Sequence, residues 1–215
     1  GHGATTATHE SQSRMWENNI GRSMPFIELI FPEIRKLFPD QMGDVSAEEF
    51  YRGVNIARPS LIRTDADELT YSMHIMVRYE LEKLMIAGDI SVDEIPGEWN
   101  RLYKEYLGID VPDDTRGVLQ DAHWAGGAFG YFPSYAVGNA YSAQIVNAVS
   151  KHVDIAECCR KGDFTEMVSW LTEKMYQYGM LYTSEEILQH VCGETFDPAY
   201  YTGYLTEKFT GLYGL

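Results

Sequence analysis

Cysteine and positive charge are both scarce in this chain of 215 residues. The three cysteines, Cys158, Cys159 and Cys192, are odd in number and two are adjacent, which excludes a disulfide framework and a CxxC metal knuckle. The adjacent pair reads as inert, and a reducing, cytoplasmic setting is expected. Seventeen Lys and Arg stand against 32 Asp and Glu, a net charge of −15. That sign repels a phosphate backbone and an anionic lipid surface, so neither nucleic acid nor membrane is an expected partner. No apolar run approaches the about 20 residues that cross a bilayer, and no charged-then-apolar leader is present. Repeats, low-complexity tracts and linkers are also missing.

What remains is a chain that is 45% hydrophobic and 13% aromatic, enough to bury a sizeable core as one large domain or two small ones. Helical periods dominate, so the expected fold is mainly α, a single helical domain over residues 1–215. Residues 25–38 carry Phe26, Leu29, Ile30, Ile34 and Leu37 on one stripe, with Pro25 suited to the first turn and Pro39 to the stop. Ser46 with Glu49, and Thr183 with Glu186, are capping-box pairs that open helices. Residues 67–87 place Met73, Val77, Leu81 and Leu84 on one face and end at Gly88. Another helix is expected near residues 96–106, and three or four more after Pro133, the last with Pro198 at its first position. Between residues 54 and 63 the β-branched residues, broken by Arg58-Pro59, suggest a small β hairpin or an extended arm leading to Arg63. Gly126, Gly127 and Gly130 mark a loop. Nothing at position 7, an Ala, boxes Glu10, so the first helix is expected to lack a cap and to begin in mid-element.

The stretch THESQSRMWENNIGRS, residues 8–23, raises the question of a metal. Adjacent helical residues point about 100° apart, so His9 and Glu10 do not grip one ion together. Position 13, where a second His would complete HExxH, is Ser. Glu10 and Glu17 share a face but are separated by about 10 Å of rise, too far for ligands about 2 Å from one zinc. His2, His74, His123, His152 and His190 are scattered without ligand spacing. The segment therefore offers one ligand at most.

Three motifs in order add a resemblance. HESQSR at residues 9–14, IRTDAD at 62–67 and GVLQDAHW at 117–124 resemble the HES(Q/G)SR, I(R/A)xxAD and GxxQDxHW signatures of the carboxypeptidase Taq family of metallocarboxypeptidases. WENNIGRS and GAFGYFPSY extend the likeness, which covers essentially the whole chain. The family's earlier motifs HPF, DxRxT and HExxH do not occur here, so the chain is expected to be roughly the C-terminal two-fifths of such an enzyme. The resemblance implies a zinc peptidase, with cobalt or another divalent metal as a substitute, that removes residues from peptide C-termini and forms a homodimer. The isolated chain is expected to be inactive and to hold no metal alone, its partners being a peptide substrate and the absent N-terminal portion. Helices that packed on that portion are expected to expose apolar faces. The other reading is a non-catalytic helical module, or one half of a split peptidase; the upstream coding sequence discriminates among these.

Carried over residue by residue, the resemblance makes Glu10 the third protein ligand of the metal. Recognition of a terminal carboxylate calls for a guanidinium, and Arg63 is the candidate, although the family also allows Ala there and Arg63 has Asp65 and Asp67 as alternative partners. His123 and Tyr131 are candidate catalytic donors to the oxyanion or scissile group, with Tyr135 a further substrate contact. His9, Arg14, Gln120 and Asp121 are assigned supporting roles, Gln120 and Asp121 by orienting a neighbour such as His123, and Arg14 by an i,i+4 contact to Glu10 or by facing solvent. Trp16, Trp124 and the helix from Asp67 read as core.

Overall fold

The computed structural model describes residues 4–215; His2, counted above among the scattered histidines, lies outside them. Helix is the only regular structure among these residues, with no strand. Where the sequence shows no linker, the backbone packs as two compact units, Gly1–Asn55 with Val137–Leu215, and Ile56–Ala136.

The first unit opens with α1 (Thr6–Arg14), which runs into a π-helical segment, Met15–Gly21. The expected missing cap is a misreading. Thr5 adopts extended backbone and its hydroxyl accepts from the Thr8 N–H, an N-cap two positions upstream of the place tested for a box. A further hydroxyl, on Ser184, reaches both Thr5 and Thr8 at 2.8 Å. Then come α2 (Met24–Leu37), α3 (Pro39–Met42) and α4 (Ala47–Val54). Ser23 caps α2, and the Ser46–Glu49 box opens α4 as its spacing predicts. Helix α2 packs on α4 and on a later helix, α8 (Ile155–Lys161). At seven residues α8 is too short to show a period, which is why the sequence does not announce it.

The rest of this unit follows from residue 137 of α7 (Pro133–Val149), whose first four residues belong to the second unit, with α9 (Thr165–Lys174), α10 (Ser184–Cys192) and α11 (Ala199–Tyr213). Five helices thus follow residue 132, against three or four expected. Their core joins Met15, Ile20, Ile145, Val149, Cys159, Met167, Leu171 and Leu188. Cys158 and Cys159 are buried here, and burial raises both thiols above their ordinary range, which suppresses thiolate.

The second unit is built on α5 (Tyr71–Ala87) and α6 (Ile95–Leu107). Val77, Leu81, Trp99, Leu102, Tyr103 and Leu107 form the core between them. Gly88 takes φ 75°, the left-handed conformation that stops α5 and returns its N–H to Leu84 and Met85. No hairpin forms at residues 54–63. The extended-arm alternative is what is seen, because the arm's polar backbone groups are met by side chains rather than by a second strand. The Arg58 N–H donates to Asp67, the Leu61 carbonyl accepts from Tyr103 and Gln120, and the Arg63 N–H donates to Gln120. Apolar side chains reach solvent in both units, among them Leu37, Ile86, Val92, Leu119, Met180 and Leu181.

The Thr183–Glu186 box closes both ways around the start of α10. Thr183→Ala should cost about 1 kcal/mol, read as a lower urea midpoint with an unchanged slope.

Candidate active site

The candidate residues fall in two groups. His9, Glu10 and Arg14 lie on α1 in the first unit; Arg63, Gln120, Asp121, His123, Tyr131 and Tyr135 lie in the second.

Arg14, one turn along, donates from Nε to Glu10 Oε1 at 2.9 Å, and the Ser13 hydroxyl, whose shorter contact is to the Glu10 backbone carbonyl at 2.8 Å, lies 3.1 Å from Oε2. Arg14 also reaches Glu17 at 3.0 Å, and Glu17 in turn takes Arg22. Of the two options for Arg14, the i,i+4 contact is the one that forms. His9 is exposed. Gly138 of α7 lies against Glu10: a Cβ there would come within 2.7 Å of the Glu10 Cβ and Cγ and 3.2 Å of its backbone carbon. The absent side chain lets the two helices approach where the carboxylate leaves the backbone. Among the described residues no three His, Cys, Asp or Glu side chains gather to hold a metal ion.

In the second unit the centre is Asp121, which shares one carboxylate between two guanidiniums. Its Oδ1 accepts from Arg63 Nη2 at 2.6 Å and Nε at 3.1 Å. Its Oδ2 accepts from Arg78 Nη2 at 2.6 Å and Nε at 2.8 Å. Arg63 therefore pairs with Asp121, not with Asp65 or Asp67. Burial opposes the charged form of Asp121, but the two arginines together outweigh it and hold the carboxyl below its ordinary range. For Arg63 the balance is similar, with burial working against the charge and the Asp121 contact raising it. Phe132, 1% exposed, lies beneath both guanidiniums, 5.8 Å from Arg63 and 5.3 Å from Arg78, and 4.4 Å from the His123 ring.

His123 Nε2 is 3.1 Å from the Tyr135 hydroxyl, and Nδ1 lies 3.8 Å from Asp121 Oδ1 with no hydrogen-bond partner among the described residues. The nearby carboxylate favours a proton on Nδ1, which makes Tyr135 the donor and Nε2 the acceptor. Burial lowers the His123 pKa, Asp121 opposing and the arginines assisting, so the ring is neutral at pH 7. Burial, together with neighbouring Tyr131, pushes Tyr135 up to about 12; it remains a protonated phenol. Tyr131 packs 5.5 Å from His123 and 5.3 Å from Tyr135, edge-on to the latter. Gln120 does not orient His123, as expected of it; it ties the arm to its own loop through Arg63 N–H, Leu61 O and Gly117 O.

Sequence reasoning missed the polar half of α5. His74, Arg78 and Glu82 are buried at 0%, 0% and 5% exposure, one turn apart and one position beyond the stripe of Met73, Val77 and Leu81. Each serves a different loop. His74 Nδ1 meets Tyr103, which donates to the arm at Leu61; Arg78 holds Asp121; Glu82 accepts from Trp124 Nε1 at 2.8 Å and Gly130 N at 3.0 Å. A four-residue spacing of ionisable groups inside an otherwise apolar helix was the available signal. Trp124, read as core, is also an indole donor to this stripe.

The model of the carboxypeptidase Taq (M32) metallopeptidases matches residues 1–209. The chain belongs to that family. Carboxypeptidase 1 of Bacillus subtilis is 41% identical over 212 residues, 98% of this chain and 42% of the relative. Thermostable carboxypeptidase 1 of Thermus thermophilus is 40% identical over 215 residues, again 42% of its length. Among solved structures, an M32 carboxypeptidase of Deinococcus radiodurans superposes with TM-score 0.95 at 40% identity, covering all of this chain and 44% of that one. The chain thus spans about two-fifths of the relatives it matches, their C-terminal part. In M32 terms the HESQSR glutamate is the one at the α1–α7 close approach, and the GVLQDAHW aspartate is the one shared by two arginines.

Two outcomes follow. Gly138→Ala should cost about 1–3 kcal/mol and displace the Glu10 carboxylate, seen as a loss of the Glu10–Arg14 contact in a crystal structure of the variant. Burial first, then Arg78, depresses His74 from 6.5 to about 4. The unfolded chain therefore binds a proton below pH 6.5 that the folded chain refuses, and stability falls as the pH drops from 6.5 toward 4. The loss at pH 5 relative to pH 7 should be about 2 kcal/mol, measured by urea unfolding and flattened in His74→Gln.

Proposed function

We propose that this chain supplies one metal ligand and the carboxylate-recognition wall of a metallocarboxypeptidase that hydrolyses the last peptide bond of peptides. The observation that carries the reading is the buried Arg63–Asp121 pair beside His123 and Tyr135, assembled from two of the family's motifs. Both units are, on this reading, parts of one catalytic domain. The zinc, or cobalt in its place, takes Glu10 as a single carboxylate ligand. One carboxylate does not make a metal centre, and the HExxH that the family resemblance calls for is not in this sequence, so no step is derived through the ion. When bound, such an ion polarises the scissile carbonyl and lowers the pKa of a bound water.

The chain's own residues do the following. Arg14 holds one oxygen of Glu10, with the Ser13 hydroxyl 3.1 Å from the other, so the carboxylate is oriented before it meets a metal. Three of the Arg63 N–H groups have partners, Nε and Nη2 at Asp121 and Nη1 at Tyr71. One N–H on each terminal nitrogen is left to fork a substrate carboxylate. Tyr135 gives its one proton to Nε2 of neutral His123 in this arrangement; turned from the ring toward an oxyanion, the same phenol, which stays protonated, is a hydrogen-bond donor and unfit to act as a base. Tyr131, on the glycine-rich loop, is the further donor to the reacting group. The substrate is a peptide with a free C-terminus, the assembly a homodimer, and the compartment the reducing cytoplasm; no helix among the described residues is long and apolar enough to cross a membrane.

The test is metal analysis and peptidase assay of the chain alone and mixed with the upstream portion of the enzyme. Activity should appear only on mixing and should vanish in Glu10→Gln. In the active mixture Arg63→Met should lower kcat/KM roughly 100-fold for peptides with a free C-terminus. Turnover by the chain alone, or an Arg63→Met mixture as active as the parent, overturns the proposal.

A further inference from the structure

Arg78 lies outside the three motifs and is the most deeply buried charge in the second unit, with 0% of its side chain exposed. Its Nε and Nη2 both go to Asp121 Oδ2, its Nη1 donates to the His74 carbonyl at 2.7 Å, and its guanidinium lies 4.6 Å over the Trp99 ring. A buried cation of this kind is costly unless it is paired and hydrogen-bonded. Asp121 is the one carboxylate that contacts either arginine among the described residues. Glu82, the other buried carboxylate of α5, is engaged by Trp124 and Gly130 instead. Within this contact one carboxylate is shared by two guanidiniums, while Asp67 acts on the neighbouring His74 ring and Glu82 on His123; burial keeps His74 neutral at pH 7.

We infer that Arg78 is a positioning residue: gripping one oxygen of Asp121, it fixes the carboxylate whose other oxygen aims Arg63, and its charge leaves Arg63 incompletely neutralised for an incoming anion. The inference rests on Arg63 being the contact for the peptide carboxylate. If Asp121 faced Arg63 alone, the pair would be a closed, neutral ion pair with little attraction for a third charge. With Arg78 present, Asp121 is divided between two guanidiniums, and one N–H on each terminal nitrogen of Arg63 has no partner in that contact. The same contact fixes geometry. Without Arg78, Oδ2 loses both its donors and the carboxylate is free to turn about its Cβ–Cγ bond, carrying Arg63 with it.

The experiment uses the 215-residue chain labelled with nitrogen-15 and follows the arginine Nε–H signals by NMR. N-acetylglycine is the carboxylate probe and N-acetylglycinamide its uncharged counterpart. In the unsubstituted chain the Arg63 and Arg78 Nε–H protons should exchange slowly with water, and the acid but not the amide should shift the Arg63 signal. Arg78→Gln should move the Arg63 signal before any probe is added and weaken the acid about tenfold or more. Arg78→Lys, which keeps the charge without the two-pronged grip, should recover part of that affinity. A role in stability alone would leave the Arg63 signal and the acid-over-amide preference intact in a folded variant, and that result overturns the inference. If neither variant folds, the unsubstituted chain decides: an Arg63 Nε–H exchanging as fast as that of free arginine is incompatible with the hold described. An acid probe that leaves Arg63 untouched in the unsubstituted chain defeats the carboxylate reading of Arg63 instead, and the spectral shift in Arg78→Gln still tests the coupling.

Discussion

A single carboxylate placed between two buried guanidiniums governs the second unit. Neither Arg63 nor Arg78 can lose its charge, Arg78 reaches no solvent and Arg63 only a little, so Asp121 has to lie where both can reach it. That requirement brings the 117–124 loop against α5 and the arm before Arg63 against both. Phe132 then fits beneath the two guanidiniums because a ring face tolerates cations that an aliphatic side chain would only desolvate. The arm itself has no ladder to lean on. Its carbonyls and N–H groups are met by Tyr103, Gln120 and Asp67, so its conformation is inherited from the polar network rather than from local preference.

The first unit solves a smaller problem with similar means. Glu10 would be a mobile, half-exposed carboxylate on a short helix if its only constraint were the backbone. Arg14 takes one oxygen, the Ser13 hydroxyl lies near the other, and Gly138 lets α7 close against the base of the side chain. The π-helical turns that follow, Met15–Gly21, send Met15 and Ile20 into the core and set Trp16 edge-on to Phe164. An extra residue per turn in a helix concentrates near functional positions, and here it begins immediately after the residue that steadies Glu10.

How far the sequence could be read depended on whether a feature is local. Capping boxes at Ser46 and Thr183, the proline at the start of α2 and the glycine that ends α5 are short-range hydrogen-bond and φ/ψ constraints, and they were legible. The cap at Thr5 was equally local but was sought at position 7, where a box with Glu10 would have put it. Helix α8 is too short for its stripe to register, and the residues before Arg63 have strand-like composition without a strand partner. Most instructive is α5. Its apolar stripe was read as core, and it is core, yet the adjacent positions carry His74, Arg78 and Glu82 in full burial. Periodicity reports that a face is inside; it does not report that polar groups from distant loops will be there to meet a second face.

From the order of its residues alone this chain determines that it is helical, where most of its helices start and stop, and that it belongs to the M32 family, because these depend on neighbours within a turn or two or on matching strings. Tertiary structure alone decided that Asp121 serves two arginines, that Arg63 turns away from Asp65 and Asp67, that Gln120 steadies an arm rather than His123, and that Gly138 stands against Glu10. Those pairings join residues as much as 128 positions apart, and their partners are selected by the cost of burying a charge or a polar group unmet, a cost that exists only once the core has closed.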